Sequence, residues 1–262
     1  MYDFAYAKPT NVAEAVRLLG EPDAKALAGG QTLIPVLKQR LNRPSVVVDL
    51  ASLGLAFVRR NGDVLAIGGM TTHAAVAASI EVRAAIPALA KLAGGIGDRQ
   101  VRNRGTIGGS LANNDPSACY PAAVLALGAT IVTDRRRIAA DDYFQGMFTS
   151  ALEPDEIISS MEFPIAARAN YEKFRNPASR YAIVGVFVAT GSAGVRVAVT
   201  GAGQGGVFRY AAMEAALTRD FSADALVGIE TSADDMNSDI HAGAAYRAHL
   251  VGVIARRAVA GA

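Results

Sequence analysis

Glycine placement constrains this chain more than any other feature. From Gln100 to Pro121 it reads QVRNRGTIGGSLANNDPSACYP, with Gly105, Gly108 and Gly109 close together, hydroxyls at Thr106 and Ser110, and Arg99, Arg102 and Arg104 just upstream. Glycine lets the backbone take positive φ and lets a ligand approach where a Cβ would block it. Successive N–H groups in such a segment can converge on an anion, and a helix starting behind them adds the positive end of its dipole. A second stretch of the same character lies earlier, Ala28-Gly29-Gly30-Gln31-Thr32-Leu33-Ile34-Pro35. Either stretch alone reads as an ordinary tight turn. Together they point to one extended ligand with a phosphate centre, held from both sides.

Composition removes several function classes. A chain of 262 residues can bury a large core and hold two or three compact units. Its hydrophobic fraction is 51%, inflated by Ala and Gly, and the longest strongly apolar run, Ala182–Ala189, is far short of the roughly 20 residues a spanning helix needs. The opening MYDFAYAKPT has an acidic third residue and no apolar core of a signal peptide, so the expected location is the cytoplasm, the inner face of the membrane included. Net charge is +2 with the signs dispersed, aromatics are 6% and Trp is absent, which argues against nucleic acid as a partner. The one basic run, Arg135-Arg136-Arg137, reads as a solvated turn. The single Cys119 excludes an internal disulfide and a self-contained iron–sulfur cluster. His73, His241 and His249 are too scattered to predict a metal site, and no nucleophile–base constellation appears. If the chain serves an enzyme, a cofactor carries the chemistry.

In order, the chain predicts a short strand over Met1–Ala7, a helix capped at Thr10 or Asn11, a strand over Ala24–Ala28, a helix over Leu33–Leu41 and a strand over Ser45–Leu50. That is a small α/β unit. Leu55–Arg60 and Asp63–Gly68 read as a hairpin around Asn61-Gly62. Thr71–Ser79 and Val82–Leu92 read as Ala-rich helices, Tyr120–Leu127 as an apolar run helical after Pro121, and Ala129–Thr133 and Ile157–Phe163 as strands. Beyond Phe163-Pro164 the character changes: Tyr171–Arg175, Ile183–Ala189 and Val195–Thr200 read as an antiparallel sheet, and Met213–Leu217, Ala223–Leu226 and Tyr246–Val259 as helical. A boundary is expected near Ile165–Ala169. Gly201-Ala202-Gly203-Gln204-Gly205-Gly206 fits the dinucleotide fingerprint G-x-G-x-x-G, with Asp220 near the expected distance. No second parallel strand follows it and too little chain remains, so it is read as a turn joining two sheet strands.

The two glycine stretches and their order resemble the FAD-binding medium subunit of the molybdenum hydroxylases, the xanthine dehydrogenase and aerobic carbon monoxide dehydrogenase family. The likeness extends through IGGMTTHAAVA (Ile67–Ala77), EIISSMEFP (Glu156–Pro164) and YEKFRNPASRYAIVGV (Tyr171–Val186). It implies an α+β fold: a two-part flavin-binding domain of the vanillyl-alcohol-oxidase (PCMH) type, with subdomains over 1–54 and 55–166, and a C-terminal α+β domain with an antiparallel sheet over 167–262.

The resemblance also implies roles. Ala28, Gly29, Gly30, Gln31, Thr32 and Leu33 would wrap the FAD pyrophosphate and adjoining ribityl region. Thr106, Gly108, Gly109 and Ser110 would hold the pyrophosphate from the other side, through backbone amides and hydroxyls. Ile158 would pack near the adenine or flavin, and Lys173 and Tyr181 would lie near the flavin end. Several family members carry Asp where this chain has Cys119. A thiol is a poor acceptor of ribityl hydroxyls, so Asp115 or a backbone group would take that role, leaving Cys119 as a small buried filler. The partners implied are a small subunit with two [2Fe-2S] clusters and a large subunit with the molybdenum–pterin centre, in a dimer of heterotrimers. Electrons would pass through FAD to quinone, NAD or oxygen. A cofactor-free assembly module of the same fold and a stand-alone flavin-dependent reductase are the alternatives.

Overall fold

Local chemistry sets the first unit. Asn11 ends an extended segment and its side-chain oxygen accepts the Glu14 N–H at 2.9 Å, which satisfies one orphan donor of the helix that follows. In the computed structural model, which describes residues 1–262, this unit runs β1 (Ala5–Ala7), α1 (Val12–Leu19), β2 (Lys25–Leu27), α2 (Leu33–Lys38) and β3 (Val46–Asp49). The three strands form a parallel sheet in the order β1-β3-β2. Ala15 and Leu19 of α1 pack with Val46 and Val48 in a small core.

The second unit opens with a hairpin, β4 (Val58–Asn61) and β5 (Val64–Gly68). Asn61 pairs with Val64, so the two-residue loop is Gly62-Asp63, and only Gly62 takes positive φ, at 58°. That is one residue beyond the Asn-Gly pair the sequence pointed to, and it is the glycine-first pattern of a type II′ turn. Next come α3 (His73–Ala78), α4 (Ile80–Ala85), α5 (Pro87–Gly94), α6 (Arg99–Arg104), α7 (Ile107–Asn113) and α8 (Tyr120–Ala126). Two expectations change here. The helix expected over Val82–Leu92 is two helices, because Pro87 has no N–H to donate and forces Ile86 out of the helical region. The central glycine stretch is two short helices around an extended Gly105, rather than a loop. The unit closes with β6 (Thr130–Thr133), β7 (Arg137–Ala139), α9 (Ala140–Tyr143), β8 (Phe144–Gly146), β9 (Thr149–Ser150) and β10 (Ile158–Pro164). Its main sheet is antiparallel, in the order β4-β5-β10-β6-β7.

The remainder is a meander of β11 (Arg168–Arg175), β12 (Ala182–Gly191), β13 (Gly194–Gly203) and β14 (Gly206–Arg209), followed by α10 (Ala211–Arg219) and α11 (Ala244–Ala260). The fingerprint-like glycines are the β13–β14 turn: Gly203 pairs antiparallel with Gly206, and Gly206 has φ 94°. The run over β12 is apolar throughout because both faces are buried. Phe187 and Ala189 join the larger core with Leu89 and Leu92 of α5 and Val124 of α8, while Val184, Val186 and Val188 pack with Val251, Ile254 and Ala255 of α11. The sheet thus changes between β10 and β11, but one core runs across that change. No helix is long and apolar enough to cross a membrane.

Candidate cofactor site

A cavity of about 610 Å³ lies where the loop after β2, the α6–α7 stretch and the approach to β12 meet. That size suits a small molecule or cofactor. All fifteen residues singled out from the sequence reach its wall: Ala28, Gly29, Gly30, Gln31, Thr32, Leu33, Thr106, Gly108, Gly109, Ser110, Asp115, Cys119, Ile158, Lys173 and Tyr181. No group of His, Cys, Asp or Glu converges to hold a metal ion.

The first glycine stretch is built to donate. None of the N–H groups from Ala28 to Thr32 donates to a backbone carbonyl of the chain. Unpaired backbone donors at a cavity are costly unless something accepts from them. Gly30 takes φ 74°, where its missing Cβ removes the steric cost. Gly29 serves a different purpose. A Cβ there would overlap the Arg104 carbonyl oxygen and sit 2.7 Å from the Gly105 Cα. The two glycine stretches therefore touch backbone to backbone.

The second stretch spends its donors differently from the expectation. The Gly108 N–H donates to the Gly69 carbonyl at 2.9 Å, and Ser110 N–H to the Thr106 carbonyl at 3.0 Å. The Gly109 N–H donates to Thr106 Oγ1 at 3.1 Å, which caps α7. What this side offers a ligand is the hydroxyls of Thr106 and Ser110, the start of α7, and lack of bulk. Gly108 is required because a Cβ would meet the Gly69 oxygen at 2.6 Å.

Beyond this neck, β11 and the approach to β12 form the next part of the wall. Lys173 Nζ donates to the carbonyls of Gly95 and Arg180, at 2.8 and 3.0 Å, and to Cys119 Sγ at 3.5 Å. Cys119 is only 5% exposed. It is thus a buried filler that also accepts a weak hydrogen bond. Asp115 Oδ1 accepts the Ser117 N–H at 2.8 Å, and burial, offset in part by that bond, moves its carboxyl upward. Tyr181 stands at this end with its side 53% exposed.

Sequence reasoning passed over His73, Gly69 and Arg180, all near or in this wall. His73 is 5% exposed, its Nδ1 has no partner, and its ring lies 5.3 Å from that of Tyr120. Burial first, then the Arg102 charge, lowers its pKa to about 4, so the imidazole is neutral at pH 7. The sequence predicts the helix around Thr71–Ser79, but not that its first turn sets His73 against Gly105, where a Cβ would lie 2.6 Å from the imidazole Nε2.

Residues 2–166 match the family model described as the FAD binding domain in molybdopterin dehydrogenase. The nicotine 6-hydroxylase medium subunit of Paenarthrobacter nicotinovorans is 37% identical, over 97% of this chain and 95% of that one. The carbon monoxide dehydrogenase medium chain of Hydrogenophaga pseudoflava is 33% identical, over 98% and 96%. Among solved structures, reconstituted CO dehydrogenase from Oligotropha carboxidovorans superposes with a TM-score of 0.91 at 32% identity, covering 100% of this chain and 98% of that one.

Proposed function

We propose, from the premise that this chain belongs to the FAD-binding medium subunits of the molybdenum hydroxylase family, that the cavity is where FAD is held between partner redox centres and an external acceptor. The free N–H groups of Ala28–Thr32, in a cavity wall shared with the second glycine stretch, are the observation that carries this reading. Those donors suit the diphosphate, whose negative charge a set of fixed amides can hold with little reorganisation. Thr106 and Ser110 supply hydroxyls opposite them. Asp115 accepts from ribityl hydroxyls in the place of the family's Asp, and Ile158 packs against a ring. Lys173 and Tyr181 border the isoalloxazine. Bound FAD supplies the redox chemistry, taking electrons singly or in pairs and handing them on. The chain's own task is to bind, orient and tune. No side chain here needs to act as nucleophile or as acid–base catalyst on the substrate.

The partners on this reading are an iron–sulfur small subunit and a molybdenum large subunit, in a cytoplasmic dimer of heterotrimers. The chain divides at 54/55 and 166/167. Quinone, NAD or oxygen receives the electrons. The test is activity by reconstitution. The purified chain loaded with FAD is expected to show no substrate-dependent dye reduction, and to gain it when both partner subunits are added. Substrate-dependent reduction by the chain alone would overturn the relay and favour a self-sufficient flavoenzyme.

A further inference from the structure

Three cations gather beside the cavity, none of them held in an ion pair. Arg102 Nη1 donates to the carbonyls of Ile96 and Gly97, at 3.0 and 3.1 Å. Arg180 Nη1 donates to the same Gly97 oxygen at 3.3 Å. Lys173 binds Gly95 O and the carbonyl of Arg180 itself. The three charges thus share a single short segment, Gly95–Gly97. None of them takes part in any ion pair of the chain. Lys173 and Arg180 line the cavity directly, and Arg102 stands behind Gly97.

This arrangement is held against two costs. Like charges tied to one short segment repel, Arg180 exposed and Lys173 and Arg102 half-buried. Arg180 also sits at φ 63°, which a non-glycine residue seldom adopts. It is fixed there by its N–H, which donates to the Asn176 carbonyl at 2.9 Å, and by Lys173 on its own carbonyl. Backbone strain that the surroundings over-determine marks a place where position matters. The acid nearest in role, Asp115, is on the same cavity, and burial favours its neutral form.

We propose that Lys173, Arg180 and Arg102 form an uncompensated cationic wall that stabilises negative charge on the reduced flavin, so that the chain binds reduced FAD more tightly than oxidised FAD. The inference rests on the functional reading above. With the diphosphate at Ala28–Thr32, the wall faces the end beside Tyr181, which is open to the surface and from which electrons can leave. Reduction adds negative charge to the isoalloxazine. Fixed positive charge close by favours that form selectively, whereas a cation on the diphosphate favours both forms equally.

The test uses the full chain loaded with FAD, with the midpoint potential read by equilibration against dyes and the affinity for oxidised FAD read by fluorescence. Arg180→Asn keeps a residue that tolerates positive φ, and Lys173→Gln removes the second charge. Each is expected to cut the preference for reduced over oxidised FAD about ten-fold, a fall of about 30 mV for a two-electron couple. Lys173→Arg, which keeps the charge, is expected to hold the wild-type potential. Unchanged potentials, with affinity lost equally for both redox states, would overturn the proposal and place these cations on the phosphates. A wild-type chain that takes up no FAD would instead defeat the functional reading itself, before any variant is made.

Discussion

Gly29→Ala is expected to abolish retention of FAD through purification while leaving most of the chain folded. The physical reason lies in how the two glycine stretches meet. An alanine Cβ at this position overlaps the Arg104 carbonyl oxygen and lies 2.7 Å from both the Arg104 carbonyl carbon and the Gly105 Cα. These are backbone atoms at the end of α6, so no side-chain rotation relieves the contact. The stretches must separate, and both walls of the diphosphate neck move with them. Overpacking of this kind costs about 1–3 kcal/mol, and the shift falls on donors whose positions set affinity. We expect a loss of at least about 100-fold in FAD affinity, close to 2.8 kcal/mol, read by fluorescence titration. Gly205→Ala serves as the control, since a Cβ there meets nothing within 4 Å. Equal affinity in Gly29→Ala and the control would show that the contact between the stretches does not shape the site.

Glu156→Ala is expected to destabilise the fold. The Glu156 side chain is 0% exposed and receives Arg136 through both of its oxygens, from Nε at 2.9 Å and from Nη2 at 2.7 Å. Thr133 Oγ1 donates to it at 2.7 Å and the Glu153 N–H at 3.0 Å. Truncation leaves those donors without their acceptor; the Arg136 left behind is 43% exposed and can turn to water, so the expected cost is that of unmet buried donors, about 1–3 kcal/mol. The Arg136 hydrogen bonds, opposed by burial, lower the Glu156 pKa from 4.5 to about 2. A carboxyl with a depressed folded pKa adds stability above its unfolded value, and that stability is lost as pH falls through the interval down to the folded value. Denaturation of the wild type should therefore lose on the order of 2 kcal/mol from this group between pH 5 and pH 2, a figure reduced because the Arg136 side chain is 43% exposed and screened. Glu156→Ala should lack that share of the pH dependence. Identical acid profiles for the two proteins would contradict the assignment.

The sequence made the local parts of this site legible because they depend on neighbours in the chain. Asn11 caps its helix through its side chain to the third residue on, Gly30 takes the positive φ that glycine allows, and the Gly203–Gly206 turn fails as a nucleotide fingerprint for want of a following parallel strand. Parts that depend on distant packing were not legible. That Gly108 gives its N–H to Gly69 cannot be read from either residue's surroundings in sequence. The break before Pro87 was available from proline chemistry alone, but the Ala-rich pattern concealed it. Nothing beside Arg180 in the sequence ties its carbonyl to Lys173 and its guanidinium to Gly97; the fold does. Cys119 stood out as a departure from the family's Asp. Its contact with Lys173 joins residues 54 positions apart in the chain, which only the fold brings together.

The central claim is that the cavity between the two glycine stretches holds FAD. It is tested most directly by the absorption spectrum of the purified chain, followed by denaturation and identification of the released chromophore. Oxidised-flavin bands and one FAD released per chain are expected, with both lost in Gly29→Ala. A colourless wild-type protein that also fails to take up added FAD would contradict it, and would make the fold a scaffold for assembly instead of an electron relay.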